Sequence, residues 1–186
     1  MAERNIEMPY NHDIYHTAVR FIHDAKDTFD CYGAQNAINT VIRDCFLKYN
    51  VEKDFSACLI HRHFDLGPDE RNIEEAGLAT ASKNFDNIYP CSWLFYKGKL
   101  FPYEFRRADL GDTAIAPPLD FVQELGSILQ AKNLCDIIGL QTYSDGFVAG
   151  ESTDEEAKVS TTVNYPEDVA DFAGGVQASF AFFRVA

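Results

Sequence analysis

Phe55-Ser56-Ala57-Cys58-Leu59-Ile60-His61-Arg62-His63-Phe64-Asp65-Leu66 begins as an apolar run and ends polar. Phe55, Ala57 and Leu59 occupy one parity and Cys58 and Ile60 the other. That predicts a central strand over 55–66, covered on at least one side by helices. Side chains of a strand alternate with period two. His61, His63 and Asp65 are therefore expected to project together from one face.

Upstream of this strand the spacing is helical. Asn11 can cap a helix running to about Phe29, with Ile14, Ala18, Phe21, Ile22, Ala25 and Phe29 on one side. A second helix is expected from Tyr32 to Tyr49, with Ala34, Ala37, Ile38, Val41, Ile42, Cys45 and Phe46 as its apolar stripe and Asn50 as its C-cap. Downstream, Gly67-Pro68-Asp69 ends the strand, and a short strand is expected at 77–82.

Pro90 to Arg107 reads as a hairpin. Trp93-Leu94-Phe95-Tyr96 and Lys99-Leu100-Phe101 flank Lys97-Gly98, a two-residue loop with glycine second. In that register Tyr96 pairs with Lys99, Phe95 with Leu100 and Trp93 with Pro102. Glu104 then falls opposite Cys91, on the face of Trp93, Phe95 and Leu100. Pro117-Pro118 precedes a helix over 119–132, followed by strands at 135–143, 159–165 and 175–185, with a loop at 144–158 that holds a short strand at 146–149. Helices, strands, one helix and strands again give an α+β fold, read as a single domain over 1–186. Its sheet is antiparallel or mixed, with helices packed on one face.

Charge narrows the partners. The net charge is -13, and residues 108–186 hold thirteen acids against three bases. A field of that sign repels phosphate backbones and anionic lipid, which argues against nucleic-acid and membrane partners. The acidic stretch around 144–158 suits a basic protein partner instead. No apolar run follows a basic start and none approaches a membrane span. The five cysteines are widely spaced with no CxxC pair, as expected of reduced thiols in a soluble cytoplasmic protein.

Five histidines lie in the first 63 residues. His12, His16 and His23 share one side of the first predicted helix, away from its apolar stripe, and read as a solvated face. His61 and His63 differ, because apolar residues precede them on the strand. Two imidazoles at i and i+2 suit a zinc or iron site completed by a carboxylate. The cupin metal pattern also contains His-x-His, but it needs a nearby Glu and a later His. Glu70 lies beyond Gly67-Pro68 and no His follows His63, so that family is not assigned. The shell is expected to be His61, His63 and Asp65, with Glu104, Glu74 or Glu75 as other carboxylates. In catalysis His61, His63 and Glu104 are the acid–base candidates, Glu104 with a pKa raised by apolar surroundings.

Other chemistries lack their scaffolds: there is no GxGxxG, GxxxxGK[ST] or GxSxG. Cys58 is at odd offset from His61 and so faces away from it on a strand. Arg62, Arg106 and Arg107 are anion contacts or, more simply, partners for the many acids. The expectation is a small enzyme or small-molecule binder with a His-x-His plus carboxylate site in a pocket between sheet and helices, walled by the aromatic hairpin. The competing reading is a non-catalytic acidic module that docks a basic partner.

Overall fold

A computed structural model of the chain describes residues 7–108, 114–143, 148–165 and 175–184; for Val148, Ala149, Asn164 and Tyr165 only the backbone is described. The fold is α+β. A two-stranded ladder joins β1, Arg20–Phe21, to β3, His61–Arg62. The other strands are β2 Phe55–Leu59, β4 Arg71–Glu75, β5 Leu78–Ser82, β6 Ile88–Tyr96, β7 Lys99–Arg107, β8 Ile138–Thr142, β9 Val148–Asp154, β10 Val159–Tyr165 and β11 Ser179–Phe180. These nine form one sheet in the order β11-β2-β8-β6-β7-β4-β5-β10-β9. All pairings in it are antiparallel except β4 with β7, so the sheet is mixed.

The predicted first helix is interrupted. α1 covers His12–Ala18, with the Asn11 side chain accepting from the Ile14 amide as expected of an N-cap. Val19 is extended, Arg20 and Phe21 pair with β3, and α2 then runs Ile22–Cys31. The β3 backbone thus supplies these residues with partners that a helix would otherwise have satisfied internally. The second helix comprises α3, Ala34–Ala37, a π-helical turn, Ile38–Ile42, and α4, Arg43–Tyr49. Asn50 ends it in the left-handed region, φ 56°. α5 spans Leu119–Ala131, and Phe121, Val122, Leu125 and Leu129 form its buried stripe.

α2, the long helix and α5 pack on one sheet face. Phe29, Phe46, Phe55, Trp93, Phe95, Leu100, Phe121 and Leu125 all belong to this core. Each such fully buried large side chain contributes roughly 1.5–3 kcal/mol relative to exposure. The opposite face carries a second cluster: Tyr15, Ala18 and Val19 from the α1 region against Ile60, Phe64, Leu66, Leu94 and Tyr103. Short α1 is therefore a helix on this other side.

The hairpin follows its predicted register at the turn end: Tyr96 with Lys99, Phe95 with Leu100, Trp93 with Pro102. Lys97 and Gly98 both have positive φ, 49° and 73°, as a type I′ turn requires. The register then shifts between Trp93 and Ser92, which skips Tyr103, and shifts back between Ser92 and Pro90, which skips Cys91. Glu104 consequently pairs with Ser92, not Cys91. Its side chain moves to the face of Ser92 and Leu94, away from Trp93 and Phe95. A bulge adds one residue on one strand and so reverses the parity beyond it.

The 144–158 region is mostly not a loop. Residues 144–147 lie outside the described residues, but Val148–Asp154 is β9, hydrogen-bonded along its length to β10. Among the described residues, no helix is long and apolar enough to cross a membrane. The five cysteines are free thiols, Cys31 exposed and Cys45, Cys58 and Cys91 buried.

Candidate metal and acid–base centre

The predicted strand at 55–66 splits at Ile60. β2 stays in the large sheet, while His61 and Arg62 turn away to pair with Arg20 and Phe21. The chain then bends at His63 and Phe64. α1 pins the segment from Phe64 to Leu66: the Tyr15 hydroxyl donates to the Phe64 carbonyl at 3.1 Å and His16 Nε2 donates to the Leu66 carbonyl at 2.9 Å. His61 and His63 still emerge together, their ring centroids 4.9 Å apart.

Asp65 does not join them. The bend ends the period-two alternation, and Asp65 points to Arg62 at 3.4 Å and His16 at 4.0 Å, well exposed. The carboxylate that meets the two imidazoles is Glu151. One ligand atom from each of His61, His63 and Glu151 lies within 4.8 Å of the others. Six strands separate β2 from β9 in the sheet order. The segment after β2 instead leaves the large sheet and packs over its second face, where Glu104 of β7 and Glu151 and Thr153 of β9 meet His63.

Each imidazole is held by a neighbour. His61 Nδ1 lies 2.9 Å from the Leu59 carbonyl, which only accepts, so Nδ1 carries the proton and Nε2 is left for the cluster. His63 Nδ1 is 3.2 Å from Thr153 Oγ1, whose hydroxyl donates to Ser160 at 3.1 Å. His63 Nε2 faces two carboxylates, Glu104 at 3.4 Å and Glu151 at 3.6 Å. Glu104 is further held by the Ser92 hydroxyl at 2.7 Å and the Asn72 amide at 3.2 Å. Both histidines, Asn72, Ser92 and Ser160 are buried, whereas the Glu151 side chain is 43% exposed and opens the cluster to solvent.

The charges follow from this geometry. Burial pushes the His61 pKa below the ordinary imidazole value, and the neighbouring His63 adds to the effect. Burial acts the same way on His63, but the hydrogen bond to Glu104 and the charges of Glu104 and Glu151 outweigh it, so His63 is raised. Glu104 is not raised, contrary to the expectation from apolar surroundings. Burial would raise it, but the His63 hydrogen bond and charge, His61 and the Ser92 hydroxyl hold it below the usual carboxylate range. The opposite shifts of His63 and Glu104 thus favour their pairing as ions, beside a His61 that burial holds toward its neutral form.

The other candidates lie elsewhere. Glu74 pairs with Arg106 at 2.5 Å and Glu75 with Arg107 at 2.9 Å, so these arginines are ion-pair partners within the sheet. Arg62 stacks over Phe21 at 4.5 Å. His12 and His16 touch edge to face, 4.4 Å apart, and His16 and His23 are exposed. Cys58 contacts the Tyr103 hydroxyl at 3.6 Å, and burial pushes its thiol up to about 12, which removes it as a nucleophile at neutral pH. A groove of about 470 Å³ lies between α5 and the hairpin, lined by Phe95, Lys97, Gly98, Gly126, Ser127 and Gln130 among others. It has the aromatic wall expected of a pocket between sheet and helix, but none of the site residues lines it.

Glu151, Thr153, Ser92 and Asn72 were not singled out in the sequence. The available signal was Glu151-Ser152-Thr153 before the turn-forming Asp154-Glu155-Glu156, with β-branched residues following from Val159. No protein-family model matches the chain, and comparison with curated proteins and with solved structures finds no significant similarity.

Proposed function

We propose that this protein binds one divalent transition metal, zinc or iron(II), and acts through it on a small molecule. Nε2 of His61, Nε2 of His63 and a carboxylate oxygen of Glu151 would be the ligands. The observation that carries this is their convergence within 4.8 Å, with the Nδ1 side of each imidazole engaged by another group. Metal-bound imidazoles are oriented in that way by hydrogen bonds from the opposite nitrogen. Two imidazoles and one carboxylate leave coordination positions open for water or a ligand, as catalytic zinc and non-haem iron sites do. Charge also balances: the ion replaces the His63 proton, and the carboxylates of Glu104 and Glu151 neutralise it. Glu104, ionised and fixed by Ser92 and Asn72, is the neighbouring base. The metal would polarise a bound oxygen and lower the pKa of bound water.

Metal analysis of the purified protein tests this. About one equivalent of zinc or iron per chain is expected for the wild type, and a large loss for His61→Ala, His63→Ala and Glu151→Gln. No stoichiometric metal in the reconstituted wild type, or full retention in all three variants, would sink the proposal.

A second reading rests on exposed Glu155 and Glu156 at the β9–β10 turn, where Asp154 is already used to accept from the Ala157 amide. They suit docking of a basic partner without catalysis. Binding that survives His61→Ala but weakens steeply with salt would favour it. Indifference to neutralising both glutamates would remove it.

A further inference from the structure

Asn72 is 3% exposed, yet its side-chain Oδ1 is buried without a hydrogen-bond partner. Its amide nitrogen donates to Glu104 Oε1. A flipped amide would set Oδ1 against the Glu104 Oε1 acceptor instead of a donor. β4 and β7 are also in parallel register with Asn72 opposite Glu104, which holds the two side chains together. Oδ1 belongs to the same planar amide, one hydrogen bond removed from the His63–Glu104 contact. A buried carbonyl oxygen left unpaired forfeits its hydration without replacement, which is costly. The rest of this polar network is satisfied: Ser92, Thr153, Ser160, His61 and His63 each have a partner.

We propose that Asn72 Oδ1 is a ligand-reading group of the metal site, and that the natural ligand carries an N–H or O–H donor next to its metal-binding oxygen. This rests on the metal reading given above. The surrounding groups favour such a ligand. Glu104, Glu151 and Asn72 Oδ1 are all acceptors, so a metal-bound molecule that is itself only an acceptor leaves Oδ1 unpaired. One that donates completes it. A site built to pair with a ligand N–H or O–H discriminates against analogues lacking it, since its own buried acceptor is then stranded.

The test compares two small metal ligands on the cobalt(II)-loaded full-length protein, followed by the visible absorption of the ion. Acetohydroxamate brings an N–H beside its metal-binding oxygens; azide has no donor. Wild type, Asn72→Leu and Asn72→Val are titrated with each, the second variant guarding against poor packing of the first. Ser92→Ala removes a different hydrogen bond to Glu104 and leaves Oδ1 untouched.

Both Asn72 variants should lose about tenfold in acetohydroxamate affinity, the size of one ordinary hydrogen bond, while azide changes by less than about twofold. Ser92→Ala should treat the two probes alike. An equal loss for both probes in the Asn72 variants would assign Asn72 only to holding Glu104, and would overturn the proposal. So would unchanged acetohydroxamate affinity, or a wild type that takes azide and refuses acetohydroxamate. A wild type that takes up no stoichiometric cobalt fails one step earlier, and that result removes the metal reading itself.

Discussion

The two faces of the sheet solve opposite problems. On one face Phe46, Phe121, Leu125 and Trp93 are almost wholly buried under the helices, and apolar area removed from water does the stabilising. On the other, His61, His63, Asn72, Ser92 and Ser160 are buried as well, but as polar groups joined through Glu104 and Thr153. Polar groups withstand burial only when paired, so this face depends on partners brought from distant strands. The first face needs bulk and tolerates approximate shapes. The second needs particular atoms at particular places, and Asn72 Oδ1 is among those it leaves unpaired. That difference is why the proposed site lies on the second face, while the groove of about 470 Å³ borders the first.

The comparison can be broken by substitution. Phe121→Ala should be the most damaging to stability, costing about 3–5 kcal/mol in denaturant unfolding, because it opens a cavity where the helices meet. It should leave metal stoichiometry intact in whatever fraction remains folded. A cost below about 1 kcal/mol would mean the helical face is not the main store of stability.

His63→Ala should do the reverse on the metal scale. Affinity for zinc, measured by competition with a chelator, should fall by more than about 100-fold, beyond the range typical of groups that merely support a ligand. A fall under tenfold would place the ion elsewhere.

Glu104→Gln, in metal-free protein, is expected to cost about 1–3 kcal/mol, and its pH dependence is the sharper result. His63 has a raised folded pKa, so its stabilisation is full below the unfolded value of 6.5 and is lost as pH rises through the folded value. Glu104 has a lowered one, so its contribution is present above 4.5 and is lost as pH falls through the folded value. The gap between wild type and Glu104→Gln should therefore be widest between pH 4.5 and 6.5 and narrow on both sides. A gap constant from pH 4 to 9 in thermal melts would deny that the two are an ion pair.

His12→Ala should have the smallest effect, with zinc affinity within about twofold of wild type, since the α1 histidines contact each other and not the cluster. A loss comparable to that of His63→Ala would join the two histidine groups into one site.

Much of the frame was legible locally. The α5 stripe, the Asn11 and Asn50 caps, the Lys97-Gly98 turn and the register beside it depend on neighbours a few residues apart, and local sequence specifies those well. The nearness of His61 and His63 was legible for the same reason. Asp65 was misplaced because the bend at 63–64 breaks the alternation, and that bend is held by Tyr15 and His16 from another helix. Glu104 was assigned the wrong face because one register shift in β6–β7 pairing, between Ser92 and Trp93, reverses its parity, and its pKa direction was then read without His63 beside it.

By itself, then, the chain determined an α+β frame and a pair of histidines at the end of an apolar strand, since both follow from periodicities of two and 3.6 residues. Only the tertiary structure decided which acids meet them. Glu151 is 88 positions beyond His63 in the chain, and only the packing of the segment after β2 over the second sheet face brings the two together.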